Sequence, residues 1–179
     1  MSKPIWGDLP PFTIRPSSIT KKDVVSPTSA QAFQVLSEVG ENAIALNSLE
    51  MEKRNMKGLF KGFDPEHITP KELSKAGTLL YKNGFIDNLT ADLMNRTGAE
   101  FDKTGKVINA DEPINALEFL ANQILIMREK TAWGDPYAQT LMPDYVRAIH
   151  VIQNLQVFAH SGDSYEMQKS KAAQRDGLQ

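Results

Sequence analysis

The chain has no cysteine, which excludes disulfide frameworks, thiolate zinc sites, iron–sulfur clusters and cysteine nucleophiles. It has no apolar run long enough to span a bilayer, and the opening MSKPIWGDLPP offers one early lysine without the apolar stretch of a secretion signal. The expected location is therefore the cytoplasm. Charge of either sign is not in excess: the formal net charge is −2, which argues against a bulk electrostatic role on nucleic acid. Only three histidines occur. His67, His150 and His160 are not spaced to form a two-ligand zinc arm with one another or with an acidic residue, and no cofactor or metal is expected from them.

What remains is the composition of an ordinary globular protein, with 41% hydrophobic and 23% charged residues over 179 positions. That length suits one domain with a core of its own. Residues 1–26 contain Pro4, Pro10, Pro11 and Pro16, which fix φ and remove backbone donors, so an extended arm is expected there. Its Lys3, Arg15, Lys21 and Lys22 outnumber Asp8 and Asp23 by two. Trp6 and Phe12 are large apolar rings, of little use to a segment that packs on nothing. A helical domain is expected over 27–160 and a flexible polar tail over 161–179.

Within that domain the apolar spacing predicts about five helices. Ala32, Phe33, Leu36, Val39, Ala43, Leu46 and Leu49 recur at three and four, which predicts one long first helix, and the pattern runs on through Met56, Leu59, Phe60 and Phe63 past two glycines. Thr69-Pro70-Lys71-Glu72 combines a capping threonine, proline at the first helical position and a glutamate able to bond back to the cap. Gly84 reads as the left-handed stop of that helix. A short helix follows from about Asp87 to Gly98. Residues 99–110 read as a loop or small hairpin, Asp111-Glu112-Pro113 as the start of a long central helix, and Pro143 as the start of the last one. The expected fold is all-α: a single compact domain with an N-terminal arm and one non-helical insert.

Candidate chemistry is sparse. Setting Gly105 at the sixth position of a calcium loop puts Glu100, Asp102, Thr104 and Asp111 at positions one, three, five and twelve, a partial match because an aspartate is wanted first and a bidentate glutamate last. An ordinary surface turn is the preferred reading. Lys53, Lys57 and Lys61 stand four apart beside the apolar Met56, Leu59, Phe60 and Phe63, as in a basic segment that touches acidic partners or anionic lipid, although the solvated flank of a core helix is the preferred reading. An enzyme would need polar groups converging from separate helices, for example Tyr81, Asp92, Glu118 and Arg128.

Thr69-Pro70-Lys71-Glu72-Leu73 followed by Leu80-Tyr81-Lys82-Asn83-Gly84-Phe85-Ile86 resembles a block in small bacterial all-helical proteins of uncharacterised role, roughly S/T-P-x-E-L/M with LY-x-x-G-x-I. The resemblance covers about a tenth of the chain and implies a bacterial helical protein but no activity. The sequence thus favours a non-catalytic interaction module, an adaptor, chaperone-like or regulatory protein, over an enzyme. Trp6, Phe12, Lys53, Lys57 and Lys61 are the candidate interaction residues, for a protein partner or for self-association.

Overall fold

The computed structural model describes residues 28–160. Six helices form its frame: α1 (Ala30–Val39), α2 (Ser48–Lys53), α3 (Pro70–Lys82), α4 (Asn88–Arg96), α5 (Ala116–Ala132) and α6 (Pro136–His160), with short 3₁₀ turns at Ala43–Ala45 and Lys57–Phe60. The fold is all-α, and two isolated β-bridges are the only extended pairings among the described residues. Trp6 and Phe12 lie outside those residues.

Side chains set where each helix begins. Ser29, Asn47, Thr69, Asp87 and Asn115 each accept a hydrogen bond from a first-turn amide that has no partner inside its helix. At α3 the full reciprocal box is present, with the Glu72 amide bonded to the Thr69 hydroxyl and the Glu72 carboxylate receiving the Thr69 amide. The ends obey a second rule. After α2, α3 and α5 the chain turns through a left-handed residue, Asn55, Gly84 or Gly134. In each case two backbone amides then return to carbonyls of the last turn, as with Phe85 to Leu80 and Gly84 to Tyr81.

These boundaries correct three expectations. The first helix does not run from 27 to 49. It ends at Gly40, whose φ of 62° and ψ of −151° leave the helical region, and the segment beyond breaks into a 3₁₀ turn, α2 and another 3₁₀ turn separated by Leu46 and Asn55. Of the periodic residues, Ala32, Leu46, Met56, Phe60 and Phe63 are fully buried, whereas Phe33 and Ala43 are exposed, and Val35 and Met51, outside the pattern, are buried instead. Spacings of three and four are thus met by successive short turns wrapping the core instead of by one rod.

The central helix starts at Ala116, not beside Pro113, because Ile114 is drawn into a two-bond antiparallel bridge with Ile68 (N–O distances 3.0 and 2.7 Å). Asn115 is then the first residue free to cap, and Glu118 donates to it at 3.0 Å. The last helix starts at Pro136, seven residues before Pro143. Asp135 accepts the amides of Tyr137 and Ala138, so Pro136 takes the first helical position that suits proline, and Pro143 lies inside the helix at the cost of one backbone bond.

Packing links the elements in a chain: α3 lies on α4, α4 on α6, α6 on α5 and α5 on α1. Gly77 allows the first of these contacts, since a Cβ there would stand 3.0 Å from the Met94 Cβ. Leu73, Leu80, Leu120, Ile124, Ile149, Ile152 and Leu155 form the shared core. Two polar contacts close α1 and the turn after it against α6. The His150 ring meets the Val39 carbonyl at 2.9 Å, and the Asn154 amide donates to the Asn42 carbonyl at 2.7 Å. A carbonyl can only accept, so His150 Nε2 carries the hydrogen.

Candidate functional site

The insert between α4 and α5 is a small turn closed on itself. Phe101 bridges Val107, and the buried Asn109 fastens the base by accepting the Glu100 amide at 2.7 Å and donating to the Gly98 carbonyl at 2.8 Å. At the tip, Asp102 Oδ1 accepts the Thr104 amide (2.8 Å), the Thr104 hydroxyl (2.6 Å) and the Lys106 amide (3.0 Å). The Thr104 hydroxyl foremost, with the Lys106 amide, holds the Asp102 carboxyl below its ordinary range. Glu100, Asp102, Thr104 and Asp111 are all exposed. Among the described residues no group of three or more His, Asp or Glu side chains is placed to hold a metal ion.

The three lysines do not share one helix face. Lys53 ends α2, Lys57 opens a 3₁₀ turn and Lys61 lies just past that turn, with the left-handed Asn55 breaking the helix between the first two. Lys57 Nζ sits 5.6 Å above the centre of the Phe158 ring, a cation on an aromatic face that ties it to α6. The apolar residues beside the lysines, Met56, Phe60 and Phe63, belong to the core.

Nor are Tyr81, Asp92, Glu118 and Arg128 engaged with one another. Asp92 pairs with Arg96 one turn along α4, Arg128 pairs with Glu38 on α1 at 2.7 Å, and Glu118 accepts the Ser29 amide at 3.3 Å. Tyr81 is exposed. The remaining titratable group of note is Tyr145, whose phenol is pushed up chiefly by burial, with Asp92 adding to the shift and Arg96 opposing it. His160 donates to the Phe63 carbonyl, so it and His150 both serve as ties between α6 and the segments packed on it.

Exposed apolar surface is more distinctive than any of these. At the turn joining α5 to α6, Trp133 is 84% exposed and Tyr137 77%, with Leu141 a further turn along at 39%. On α6 the spacing of four places Tyr137 and Leu141 on one face, and that face continues into the buried Ala148, Ile152 and Leu155. The core-facing stripe of α6 thus extends past the body that covers it. A second feature is an open groove of about 690 Å³ between α1 and α6, walled by Phe33, Leu36, Leu117 and Val157. No motif in the sequence marks Trp133, Tyr137 or Leu141 as a surface. The available signal is two large rings, Trp133 and Tyr137, set close to Gly134 and Pro136 at a helix junction.

Compared with protein-family models, with curated proteins and with solved structures, the chain matches none.

Proposed function

We propose that this chain is a non-catalytic helical interaction module of a bacterial cytoplasm, and that the α5–α6 turn is its contact surface. The observation that carries the reading is the uncovered stripe of Trp133, Tyr137 and Leu141. Large rings left in water, Trp133 at the end of α5 and Tyr137 in the first turn of α6, cost solvation that a partner recovers, and Trp and Tyr are the residue types that dominate binding energy at protein contacts. The three side chains carry no charge, and Tyr137 and Leu141 share a face of α6, so the matching surface is the apolar side of an amphipathic helix. A protein partner or a second copy of this chain supplies that helix. The polar side chains fit the same reading, since Asp92, Glu118, Arg128 and Asp102 are each committed to local structure. No helix among the described residues is long and apolar enough to cross a membrane.

Replacing Trp133 and Tyr137 together by serine tests the proposal. Both side chains are exposed, so circular dichroism should be unchanged. Association, followed as self-assembly by sedimentation velocity and as quantitative binding to partners recovered on the intact protein, should fall at least tenfold. Association equal to the parent's in both measurements sinks the reading.

A further inference from the structure

The groove between α1 and α6 is separate from the α5–α6 turn, and its walls are unusual for a surface exposed to water. Phe33 on α1 is 65% exposed and Val157 on α6 62%, and Leu36 and Leu117 line the groove with them. Glu41 and Glu66 line it as well, both exposed, and no lysine or arginine is among its described lining residues. Its described lining thus combines these apolar side chains with the uncharged Ser37, Gln153 and Gln156 and two acidic residues.

The first described residue also lies in this groove. Thr28 lines it, and its position is fixed because its hydroxyl accepts the Asn115 side-chain amide at 3.1 Å, while the next residue, Ser29, donates its amide to Glu118. The chain preceding Thr28 is therefore tethered at the groove. That segment holds two large rings, Trp6 and Phe12, and a formal charge of +2 from Lys3, Arg15, Lys21 and Lys22 against Asp8 and Asp23. Phe12 precedes Thr28 by 16 residues, a stretch that spans roughly 50 Å when extended, so either ring reaches any part of the groove. Tethering at the rim also supplies a high effective concentration, so a contact too weak between separate molecules can be populated within one.

We propose that the α1–α6 groove is the docking site of this chain's own N-terminal segment, with Trp6 or Phe12 seated against Phe33, Leu36 and Val157 and the basic residues facing Glu41 and Glu66. The ring covers apolar surface, about 150–250 Å² for one aromatic side chain. The charge match orients the segment and makes the contact salt-sensitive.

Tryptophan fluorescence of the full chain tests this directly. The sequence has two tryptophans, so Trp133→Phe leaves Trp6 as the single reporter, and adding Trp6→Phe with Phe12→Trp moves the reporter to the second ring. In at least one of these proteins acrylamide quenching should be several-fold weaker than for a synthetic peptide of residues 1–27. Val157→Glu and Phe33→Glu alter exposed positions and should restore full quenching with the helical spectrum intact. Glu41→Lys with Glu66→Lys should weaken the protection, as should raised salt. Full quenching of both reporters overturns the proposal, and so does protection that the groove substitutions leave unchanged. Protection that vanishes on dilution in step with dimer dissociation also overturns it, by assigning the groove to a second copy's segment.

Discussion

Arg147 on α6 reaches across to Asp87 at the start of α4, its Nη1 3.1 Å from Oδ2, while Oδ1 of the same carboxylate accepts the Thr90 amide at 2.8 Å. One side chain both caps a helix and ties it to its neighbour. The hydrogen bonds from Thr90 and then the Arg147 charge outweigh partial desolvation and hold the Asp87 carboxyl below its ordinary range. Because the folded value is the lower one, the unfolded chain binds the proton more tightly in acid. The stabilisation is therefore complete above the unfolded value, about 3.9, and is lost as pH falls through the folded value. Asp87→Asn keeps a capping side chain but removes the charge, so the stability gap between it and the parent in urea titrations should close below pH ~4. Asp87→Ala removes the cap as well and should cost about 0.5–2 kcal/mol at neutral pH. A gap independent of pH would show that the charge contributes nothing.

Two glycines with the same backbone sign should respond differently to alanine. Gly84 has φ of 78° and open space around its would-be Cβ, whereas at Gly98, with φ of 68°, that atom would stand 2.2 Å from Ile114 Cδ1. Gly84→Ala should cost about 1–2 kcal/mol, the left-handed penalty alone. Gly98→Ala should cost that and about 1–3 kcal/mol of overpacking besides. Adding Ile114→Val deletes Cδ1 and should return part of the second cost but none of the first. Equal melting temperatures for the two single variants would contradict the contact.

His150 is expected to matter as a donor. Its ring satisfies the carbonyl of Val39, the last residue of α1, a group that no longer has an amide four residues on to pair with. His150→Phe keeps a buried ring and leaves that carbonyl without its partner, which should cost about 1–3 kcal/mol in chemical denaturation. Amides of the 40–46 segment should exchange faster in the same variant. Unchanged exchange there would place the role of His150 in packing alone.

Millimolar calcium should leave the melting temperature where it is. Asp102 Oδ1 already accepts three hydrogen bonds from its own turn, and among the described residues no three acidic side chains converge to hold an ion. A saturable rise that magnesium does not reproduce and that Asp102→Ala abolishes would overturn this and mark residues 100–111 as a calcium site.

Much of the fold is legible in local chemistry. The capping box at Thr69 and Glu72, the cap at Asp87 and the left-handed Gly84 are decided within a few residues of themselves, and the structure realises them as read. What could not be read depends on residues far away in sequence. The start of α5 is set by Ile68, which captures Ile114 before the helix can include it. The break after Val39 is closed by His150 and Asn154 from the opposite end of the domain. The start of α6 at Pro136 is the exception, because the cap that sets it, Asp135, is its immediate neighbour. The uncovered stripe at Trp133 shares its periodicity with the core, and sequence alone does not say which half of such a stripe is covered.

The Ile68–Ile114 bridge does more than delay a helix. With Lys71 bonded to Ala110 and Ala116 to Pro65, it gathers the entry and exit of residues 66–115 into a narrow neck. Everything between them, α3, α4 and the insert, is an excursion that leaves and returns at one point. Extra sequence spliced into the exposed turn at 103–105 would lengthen that excursion without passing through the neck, which makes this tip the natural place to graft a probe or affinity handle.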